Sequence, residues 1–479
     1  MKATSFLPHA LAVAAAVLGG SPLLRAQAAA PANVPAPPPS ARPRFDAKGR
    51  PLSDSHGNAL RYNPVSGHIS NYDQDKVGRY VLPPLLVLND GEPVTTAEAW
   101  YKLRRPEILE LYRQFIYGHV PATAPKVTFQ VASADPGALG GTAVRKEVVG
   151  TFGEGPDAPK MHIVMYLPAH ASGPVPVLLH LVFFGTNLAP PPDAPAPAAE
   201  GRAARRPRLV EAGPVADILA RGWGYAMVRY TEIEPDNKLG AMPQRLNLPG
   251  LPPQPVPTKP PVGVRTLALA PGQTEVAPNE WGTISAWAWG ASRVLDYFET
   301  DPAVDAKRVA LIGHSRLGKT VLWAGAQDPR FAVILSSCAG EMGSSLARRD
   351  YGETVDDMAT GFPWQFAGNF QAFIGHWTAM PTDTHMVIAL NAPHGVYIDG
   401  GVGDQWSDPV GEFLGEVAAG PVYRLVGRKD LGTDQLPAVD HPLIEGDLGF
   451  QYHKEAHVIA ASDWQAFLQF AERYLKPSS

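Results

Sequence analysis

The sequence predicts a doubly wound α/β fold, in which helices cover both faces of a mostly parallel sheet. Short and nearly continuous apolar runs at 175–184 and 308–312 are typical of strands that are buried on both faces. Amphipathic helical patterns are clearest at 284–298 and 463–475. Because strands alternate with helices along the chain, we expect the strands to lie parallel in one sheet of a three-layer sandwich.

Further apolar runs predict additional strands of the same kind. They lie at 223–230, 332–336, 385–389 and 422–426. Two Pro- and Ala-rich stretches, at 189–207 and 248–271, interrupt this alternation. We interpret them as long loop insertions between core elements, where segments that cover a substrate commonly occur.

The composition is that of a large folded protein without a nucleic-acid partner. Of the 479 residues, 45% are hydrophobic and 18% are charged, which is enough apolar material for a large core. The formal net charge is -5, so the chain has no general attraction to nucleic acid or to anionic lipid. The single cysteine, Cys338, excludes an intrachain disulfide and a cysteine-rich metal site.

The first residues have the pattern of an export signal. Lys2 precedes an apolar run at 7–20, and residues 26–28 have the small-x-small form of a cleavage site. We therefore predict a signal peptide at 1–28 and an exported protein, either periplasmic or secreted. An uncleaved membrane anchor is the alternative, but the apolar run is shorter than the roughly 18 residues that span a bilayer.

A Pro- and Ala-rich linker follows the predicted signal. Residues 29–44 contain repeated prolines and are expected to be extended and disordered. The rest of the chain, 45–479, is predicted to be a single catalytic domain, since large α/β enzymes often run this long as one unit. We expect a monomer without a membrane-spanning helix.

The segment 308–323 predicts a nucleophile elbow. A buried strand leads into Gly-His-Ser-Arg-Leu-Gly, and a helix follows. On such a turn the Ser315 hydroxyl lies at the carboxyl edge of the sheet, and the next backbone N–H points toward a developing oxyanion. The second glycine of the usual G-x-S-x-G pattern is replaced by Leu317, and Gly318 stands one position later. An ordinary strand-to-helix turn is the alternative.

A serine nucleophile requires a histidine and an acid from later in the chain. Residues 448–454 are predicted to form the last strand, and His457 lies in the loop that follows. His453, within the strand pattern, is the less favoured alternative. The glycine-rich segment 396–408 supplies the acid candidates. These are Asp399, Asp404 and Asp408, and composition alone does not choose among them.

The motifs resemble the bacterial branch of carbohydrate esterase family 15, the glucuronoyl esterases. Four segments carry the resemblance: 100–121, 313–319, 347–355 and 404–409. The resemblance covers most of the chain and implies an α/β-hydrolase catalytic domain. It implies hydrolysis of the ester between 4-O-methyl-glucuronic acid of glucuronoxylan and an alcohol of lignin. The implied Ser-His-Asp mechanism needs no metal and no organic cofactor.

The resemblance also assigns roles to individual residues. It makes Ser315 the nucleophile and Arg316 a side-chain donor to the oxyanion, and it implies that three residues contact the glucuronoyl ring. These three are Lys319, Glu353 and Trp406. Glutamate can accept hydrogen bonds from ring hydroxyls, lysine can donate them, and tryptophan can donate or stack. The second oxyanion donor is expected from the backbone around 184–187.

The position of the catalytic acid differs between this chain and many family members. Their catalytic glutamate stands just after the strand that follows the elbow, and Cys338 occupies that position here. Bacterial relatives can carry the acid on a later loop, two residues before the tryptophan. That match singles out Asp404, and Glu341 is the fallback.

Two other functions remain compatible with these residues. An acetylxylan or feruloyl esterase would use the same fold and the same nucleophile. A non-catalytic carbohydrate-binding protein would retain the elbow without an activated serine, and a fluorophosphonate probe would then leave Ser315 unlabelled.

Overall fold

The computed structural model describes residues 53–54, 58, 60–184, 212–241 and 259–476. The predicted signal peptide, 1–28, and the predicted linker, 29–44, lie outside the described residues. So do all of the first Pro- and Ala-rich insertion and the first part of the second.

Within the described residues, nine strands form one sheet. Their order is β1-β2-β3-β5-β4-β6-β7-β8-β9. The first three strands and the β3–β5 pair are antiparallel, whereas every pair from β5 to β9 is parallel. The strands are β1 Val127–Gly137, β2 Ala143–Phe152, β3 Lys160–Pro168, β4 Val175–Val182, β5 Gly224–Arg229, β6 Val304–His314, β7 Phe331–Ser337, β8 Gly395–Gly401 and β9 Leu448–His453.

Helices cover both faces of the sheet, as the alternation predicts. The helices are α1 Arg105–Phe115, α2 Val215–Ala220, α3 Tyr230–Ile233, α4 Val264–Ala268, α5 Thr283–Thr300, α6 Arg316–Gln327, α7 Val355–Gly361, α8 Thr384–Ala389, α9 Pro409–Leu425 and α10 Ala461–Leu475. Single helical turns lie at Ala97–Ala99 and Ala138–Gly141, and a π-helical segment, Trp100–Arg104, leads into α1.

The core is divided by the sheet into two apolar clusters. Leu179 and Leu311 point to the face that α5, α6 and α9 cover. Leu178 and Ile312, their neighbours along β4 and β6, point to the face that α2 and α10 cover. Alternate side chains of each central strand therefore enter different clusters, which explains why these strands are apolar throughout. The predicted three-layer α/β architecture is confirmed.

Two of the predicted strands are wrong. Residues 385–389 belong to α8, and 422–426 include the last turn of α9. All six residues of α8 are buried, so this helix has no polar face and no helical periodicity. A fully buried helix of this length has the same apolar pattern as a buried strand. The runs at 223–230 and 332–336 correspond to β5 and β7.

The parallel half of the sheet brings four loops to one edge. The segments that follow β6, β7, β8 and β9 carry Ser315, Cys338, Asp404 and His457, respectively. Because parallel strands all end at the same edge, these side chains meet although the chain separates them widely. Among the described residues, no helix is long and apolar enough to cross a membrane.

Candidate active site

Ser315 lies on a sharp turn between β6 and α6, as the elbow pattern predicts. Its φ is 58° and its ψ is -126°, a conformation that is strained for a residue with a Cβ. The Ser315 N–H donates to the Ser337 carbonyl at 2.8 Å, which holds the turn against β7. Strain of this kind is typical of a nucleophile that is presented outward from a strand-to-helix turn.

The two glycines of the elbow are required by close backbone approach. A Cβ on Gly313 would collide with the Leu317 carbonyl oxygen. A Cβ on Gly318 would lie 2.9 Å from the Ser337 carbonyl oxygen, closer than side-chain carbons approach. Position 318, rather than 317, is where the first turn of α6 crosses β7, and the shifted glycine therefore serves this packing contact.

His457 and Asp404 form a hydrogen-bonded pair above the sheet edge. The His457 Nδ1 lies 2.6 Å from Asp404 Oδ2, and the imidazole is 42% exposed whereas the carboxylate is 6% exposed. Burial raises the pKa of Asp404, but the hydrogen bond and the charge of His457 outweigh burial and hold the pKa below its ordinary value. Gly403 N–H donates to the Glu455 carbonyl at 3.1 Å, which ties the two loops together.

The other two acids of the 396–408 segment have different partners. Asp399, at the end of β8, accepts a hydrogen bond from Ser337 Oγ at 2.9 Å. Asp408 accepts from Arg349 Nε at 2.8 Å and caps the N-terminus of α9. Asp404 is therefore the member of the three that meets His457.

His453 is fully buried and faces the acids of the sheet edge. Its Nε2 lies 3.5 Å from Asp399 Oδ1 and 3.7 Å from Asp463 Oδ2. A side chain with no exposed surface cannot reach a substrate in the cleft. Of the two candidate histidines, His457 is the one whose imidazole is partly exposed.

The fallback acid, Glu341, lies deep in the protein. It is 2% exposed, and burial together with the charges of Asp383 and Glu353 raises its pKa well above the ordinary value. Among the described residues, no hydrogen bond or ion pair joins Glu341 to His457. Cys338 is also buried, and its Sγ lies 3.5 Å from Asp399 Oδ1.

Arg316 has a carboxylate partner that sequence reasoning missed. Its guanidinium forms an ion pair with Asp236, which also accepts from Trp364 Nε1 at 2.8 Å and from Gln365 Nε2 at 3.0 Å. Burial lowers the pKa of Arg316, but the charge of Asp236 outweighs burial and raises it, so the side chain stays protonated. Asp236 lies in the loop after α3, the short helix that directly follows β5, and an acid in the connection after a parallel strand is a signal that could have indicated it.

Lys319, Glu353 and Trp406 form one connected group. Trp406 Nε1 donates to Glu353 Oε1 at 3.0 Å, and Lys319 Nζ lies 3.5 Å from Glu353 Oε2. The Lys319 N–H bonds to the Ser315 carbonyl at 3.2 Å, so the lysine is one helical turn from the elbow. The exposed Arg61, which sequence reasoning did not single out, stacks over the Trp406 ring with its Cζ 3.7 Å from the ring centre.

Two further predictions concern the second oxyanion donor and the contact between Ser315 and His457. Of the segment predicted to supply the second oxyanion donor, Phe184 is described and residues 185–187 lie outside the described part. The Ser315 hydroxyl and the His457 ring are not hydrogen-bonded in the described structure. Such catalytic hydrogen bonds often tighten only in the complex with substrate.

Among the described residues, two groups of side chains have ligand atoms close enough to hold a metal ion. One is Cys338 with Asp404 and His457, and the other is Cys338 with Asp399 and His453. In the first group the carboxylate and imidazole are already hydrogen-bonded at 2.6 Å. That is closer than the separation of about 3.3 Å between ligand atoms around a tetrahedral zinc ion. The second group is buried and offers no open position to a substrate.

Known proteins share both the sequence and the fold of this chain. A family model described as glucuronyl esterase, fungi, matches residues 277–427. Carbohydrate esterase MZ0003, from an unknown prokaryotic organism, is 37% identical over 419 residues, which cover 85% of this chain and 92% of that protein. The structure of a glucuronoyl esterase from Solibacter usitatus superposes with a TM-score of 0.72 at 43% identity, covering 84% of this chain and 100% of that one.

A third relative extends the agreement. The structure of a promiscuous carbohydrate esterase family 15 enzyme from a marine bacterial metagenome has a TM-score of 0.70 and 35% identity, and covers 85% of this chain and 100% of that one. These three relatives cover 84 to 85% of this chain and 92 to 100% of their own lengths. This chain therefore belongs to carbohydrate esterase family 15, the glucuronoyl esterases, and has the α/β-hydrolase fold.

Proposed function

We propose that this protein hydrolyses the ester between glucuronic acid of glucuronoxylan, including its 4-O-methyl form, and alcohols of lignin. The observation that carries the proposal is the connected group of Lys319, Glu353 and Trp406, one helical turn from Ser315. The ester of a sugar acid is uncharged at the reacting carboxyl, so an enzyme must recognise its ring hydroxyls. Glu353 offers an acceptor and Lys319 a donor, while the Trp406 N–H is already donated to Glu353 and orients it.

The first half of the reaction forms an acyl-enzyme. The Ser315 hydroxyl attacks the uronoyl carbonyl carbon while His457 Nε2 takes its proton, and Asp404 holds the opposite ring nitrogen. Negative charge then develops on the carbonyl oxygen. The intermediate collapses, the alcohol leaves with the proton from His457, and the uronoyl group remains on Ser315.

The second half of the reaction returns the serine. Water attacks the acyl carbon while His457 takes a proton from it, and the second tetrahedral intermediate expels Ser315 Oγ, which is reprotonated by His457. The products are the free uronic acid and the regenerated enzyme. Every proton that leaves a nucleophile passes through the same imidazole nitrogen.

Arg316 supplies charge to the oxyanion in both intermediates. Its guanidinium belongs to the residue that follows the nucleophile, and Asp236 holds it in one orientation. The neutral ester carbonyl attracts a cation weakly, whereas the tetrahedral oxyanion attracts it strongly. The contact therefore stabilises the transition state more than the ground state.

The expected result of Arg316→Ala is a loss of roughly 10² to 10³ in kcat on methyl glucuronate, with KM changed much less. Arg308→Ala is the matched control, because Arg308 is similarly buried and paired with a carboxylate, Asp305, but lies at the other end of β6. Steady-state kinetics of both variants make the comparison. Equal losses in the two variants would show that Arg316 acts through stability.

Substrate class is tested by kinetics on three esters. We expect benzyl and methyl glucuronate to be hydrolysed with a far higher kcat/KM than an acetylated xylose. Glu353→Gln should lower kcat/KM on the glucuronates by about 10-fold or more, since hydrogen bonds to a charged acceptor contribute about 1.5–3 kcal/mol. The same variant should leave 4-nitrophenyl acetate hydrolysis within about twofold, because that ester has no ring hydroxyls. Faster turnover of the acetylated sugar would favour the acetylxylan esterase alternative.

We also propose that the protein is exported, to the periplasm or outside the cell, and acts as a monomer. The signal pattern at 1–28 supports export. We also propose that residues 45–479 form a single catalytic domain, because the described strands form one continuous sheet.

A further inference from the structure

A row of polar side chains crosses three neighbouring strands behind Ser315. In the parallel register, His314 of β6 is paired with Ser337 of β7, and Ser337 is paired with Asp399 of β8. Residues in register point to the same face of a sheet, so the three side chains lie side by side. Ser337 Oγ donates to Asp399 Oδ1 at 2.9 Å, and His314 Nδ1 lies 3.0 Å from Ser337 Oγ.

At the other end of the row, the His314 ring contacts His457, the imidazole of the proposed mechanism. The ring centres of His314 and His457 are 4.5 Å apart, and the ring planes are inclined by 49°. His314 is also the residue that precedes Ser315. Its side chain thus contacts the base while its backbone leads directly into the nucleophile.

Hydrogen bonds hold the His314 ring at two places. Ser337 Oγ donates to Asp399 Oδ1 and lies within hydrogen-bond distance of His314 Nδ1. The His314 ring is also hydrogen-bonded to the His457 backbone. Burial and the nearby His457 lower the pKa of His314 well below its ordinary value, which favours the neutral ring. A neutral ring is needed there, because a second cation would oppose the imidazolium that His457 forms during turnover.

Buried ionisable groups surround Asp399, which is the last residue of the row. Burial lowers the pKa of His453, but its interactions with Asp399 outweigh burial and raise it to about 9. Burial raises the pKa of Asp399, and the hydrogen bond and charge of His453 offset only part of that rise. Asp463, Glu455 and the Cys338 thiol also contact this pair, and Tyr397 and Glu412 lie close enough to Asp399 to interact with its charge. Asp463 also accepts from the Ala460 N–H at 2.6 Å, which fixes the end of the loop that carries His457.

We propose that His314, held by Ser337 and Asp399, is a positioning residue that sets the tilt of the His457 ring toward Ser315. The proposal rests on the roles of Ser315 and His457 proposed above. Asp404 holds one ring nitrogen of His457, and a single hydrogen bond leaves the ring free to tilt around it. A ring packed on one face removes that freedom. Small errors in such geometry are costly, since a displacement of about 1 Å can reduce a rate about 100-fold.

The test compares two neighbouring buried serines. Ser337→Ala breaks the link between Asp399 and His314, whereas Ser336→Ala removes an equally buried hydroxyl that bonds instead to the Gly318 carbonyl at 3.2 Å. We expect Ser337→Ala to lower kcat on methyl glucuronate about 10-fold, with KM within about twofold. The rate at which a fluorophosphonate labels Ser315 should fall by the same factor. Ser336→Ala should leave both rates within about twofold.

A second variant at the same position separates loss of the hydroxyl from a general change in packing. Ser337→Thr keeps the hydroxyl and should recover most of the lost kcat, and thermal unfolding of all variants shows whether the fold is retained. Unchanged kcat and labelling in a folded Ser337→Ala, or equal losses in the two alanine variants, would overturn the proposal. The labelling rates test the positioning even if the wild type does not hydrolyse glucuronate esters, so failure of the proposed function is seen separately.

Discussion

Replacement of Ser315 by alanine is expected to reduce kcat on methyl glucuronate by about 10⁶-fold, the scale seen when the nucleophile of a serine triad is removed. The reason is the geometry of the elbow. Ser315 sits at a φ of 58° at the carboxyl edge of the sheet. The proposed oxyanion donors can stabilise charge on the substrate only after a nucleophile has attacked. Steady-state kinetics on the purified variant measure the loss.

The same variant should fold normally. Alanine keeps the Cβ that already tolerates this backbone conformation, and the Ser315 N–H still donates to the Ser337 carbonyl. The midpoint of thermal unfolding should therefore stay close to that of the wild type. A fluorophosphonate should label the wild type at residue 315 and leave the variant unlabelled. Retention of more than about one per cent of the activity would show that another group is the nucleophile.

Asp404→Asn should lower kcat by up to about 10⁴-fold, as expected when the orienting carboxylate of a triad becomes an amide. Asp404 Oδ2 lies 2.6 Å from His457 Nδ1, where a carboxylate accepts the Nδ1–H and leaves Nε2 free to take the serine proton. An amide can donate to Nδ1 instead. That favours the wrong tautomer, which carries its proton on Nε2. Single-turnover and steady-state rates at neutral pH provide the measurement.

Glu341→Gln is the matched comparison for the acid. Glu341 is buried, its Oε1 has no hydrogen-bond partner among the described residues, and burial raises its pKa well above the ordinary value, which favours the protonated form. Glutamine has nearly the same shape as a protonated glutamic acid, and the variant should keep near-normal kcat. If Glu341→Gln is inactive while Asp404→Asn is active, the assignment of the acid is wrong.

Local pattern was sufficient for the architecture and for the elbow. The run 308–312 is apolar throughout because β6 is buried on both faces, and this property depends on its own residues. The helix α6 follows directly, so the sharp turn at Ser315 could be predicted from neighbours in the chain. The run at 385–389 shows the limit, because a short helix without an exposed face has no period to distinguish it from a strand.

The choice among the three acids depended on contacts between distant segments. Asp399, Asp404 and Asp408 lie within one short stretch, yet one ends a strand, one bonds to His457 and one caps a helix. Composition does not distinguish these positions, and the spacing from Asp404 to Trp406 did so only through the family resemblance. The partners come from β7, from the loop after β9 and from Arg349, and only the folded chain brings them together.

The sequence by itself determined the α/β class, the serine on its turn and the set of acids and imidazoles that could serve it. These features follow from burial and backbone preferences within a few residues. The tertiary structure decided which candidates meet, and it revealed Asp236 beside Arg316 and His314 beside His457. Such pairings depend on how strands far apart in the chain align at one edge of the sheet, and that alignment is set by the packing of the whole core.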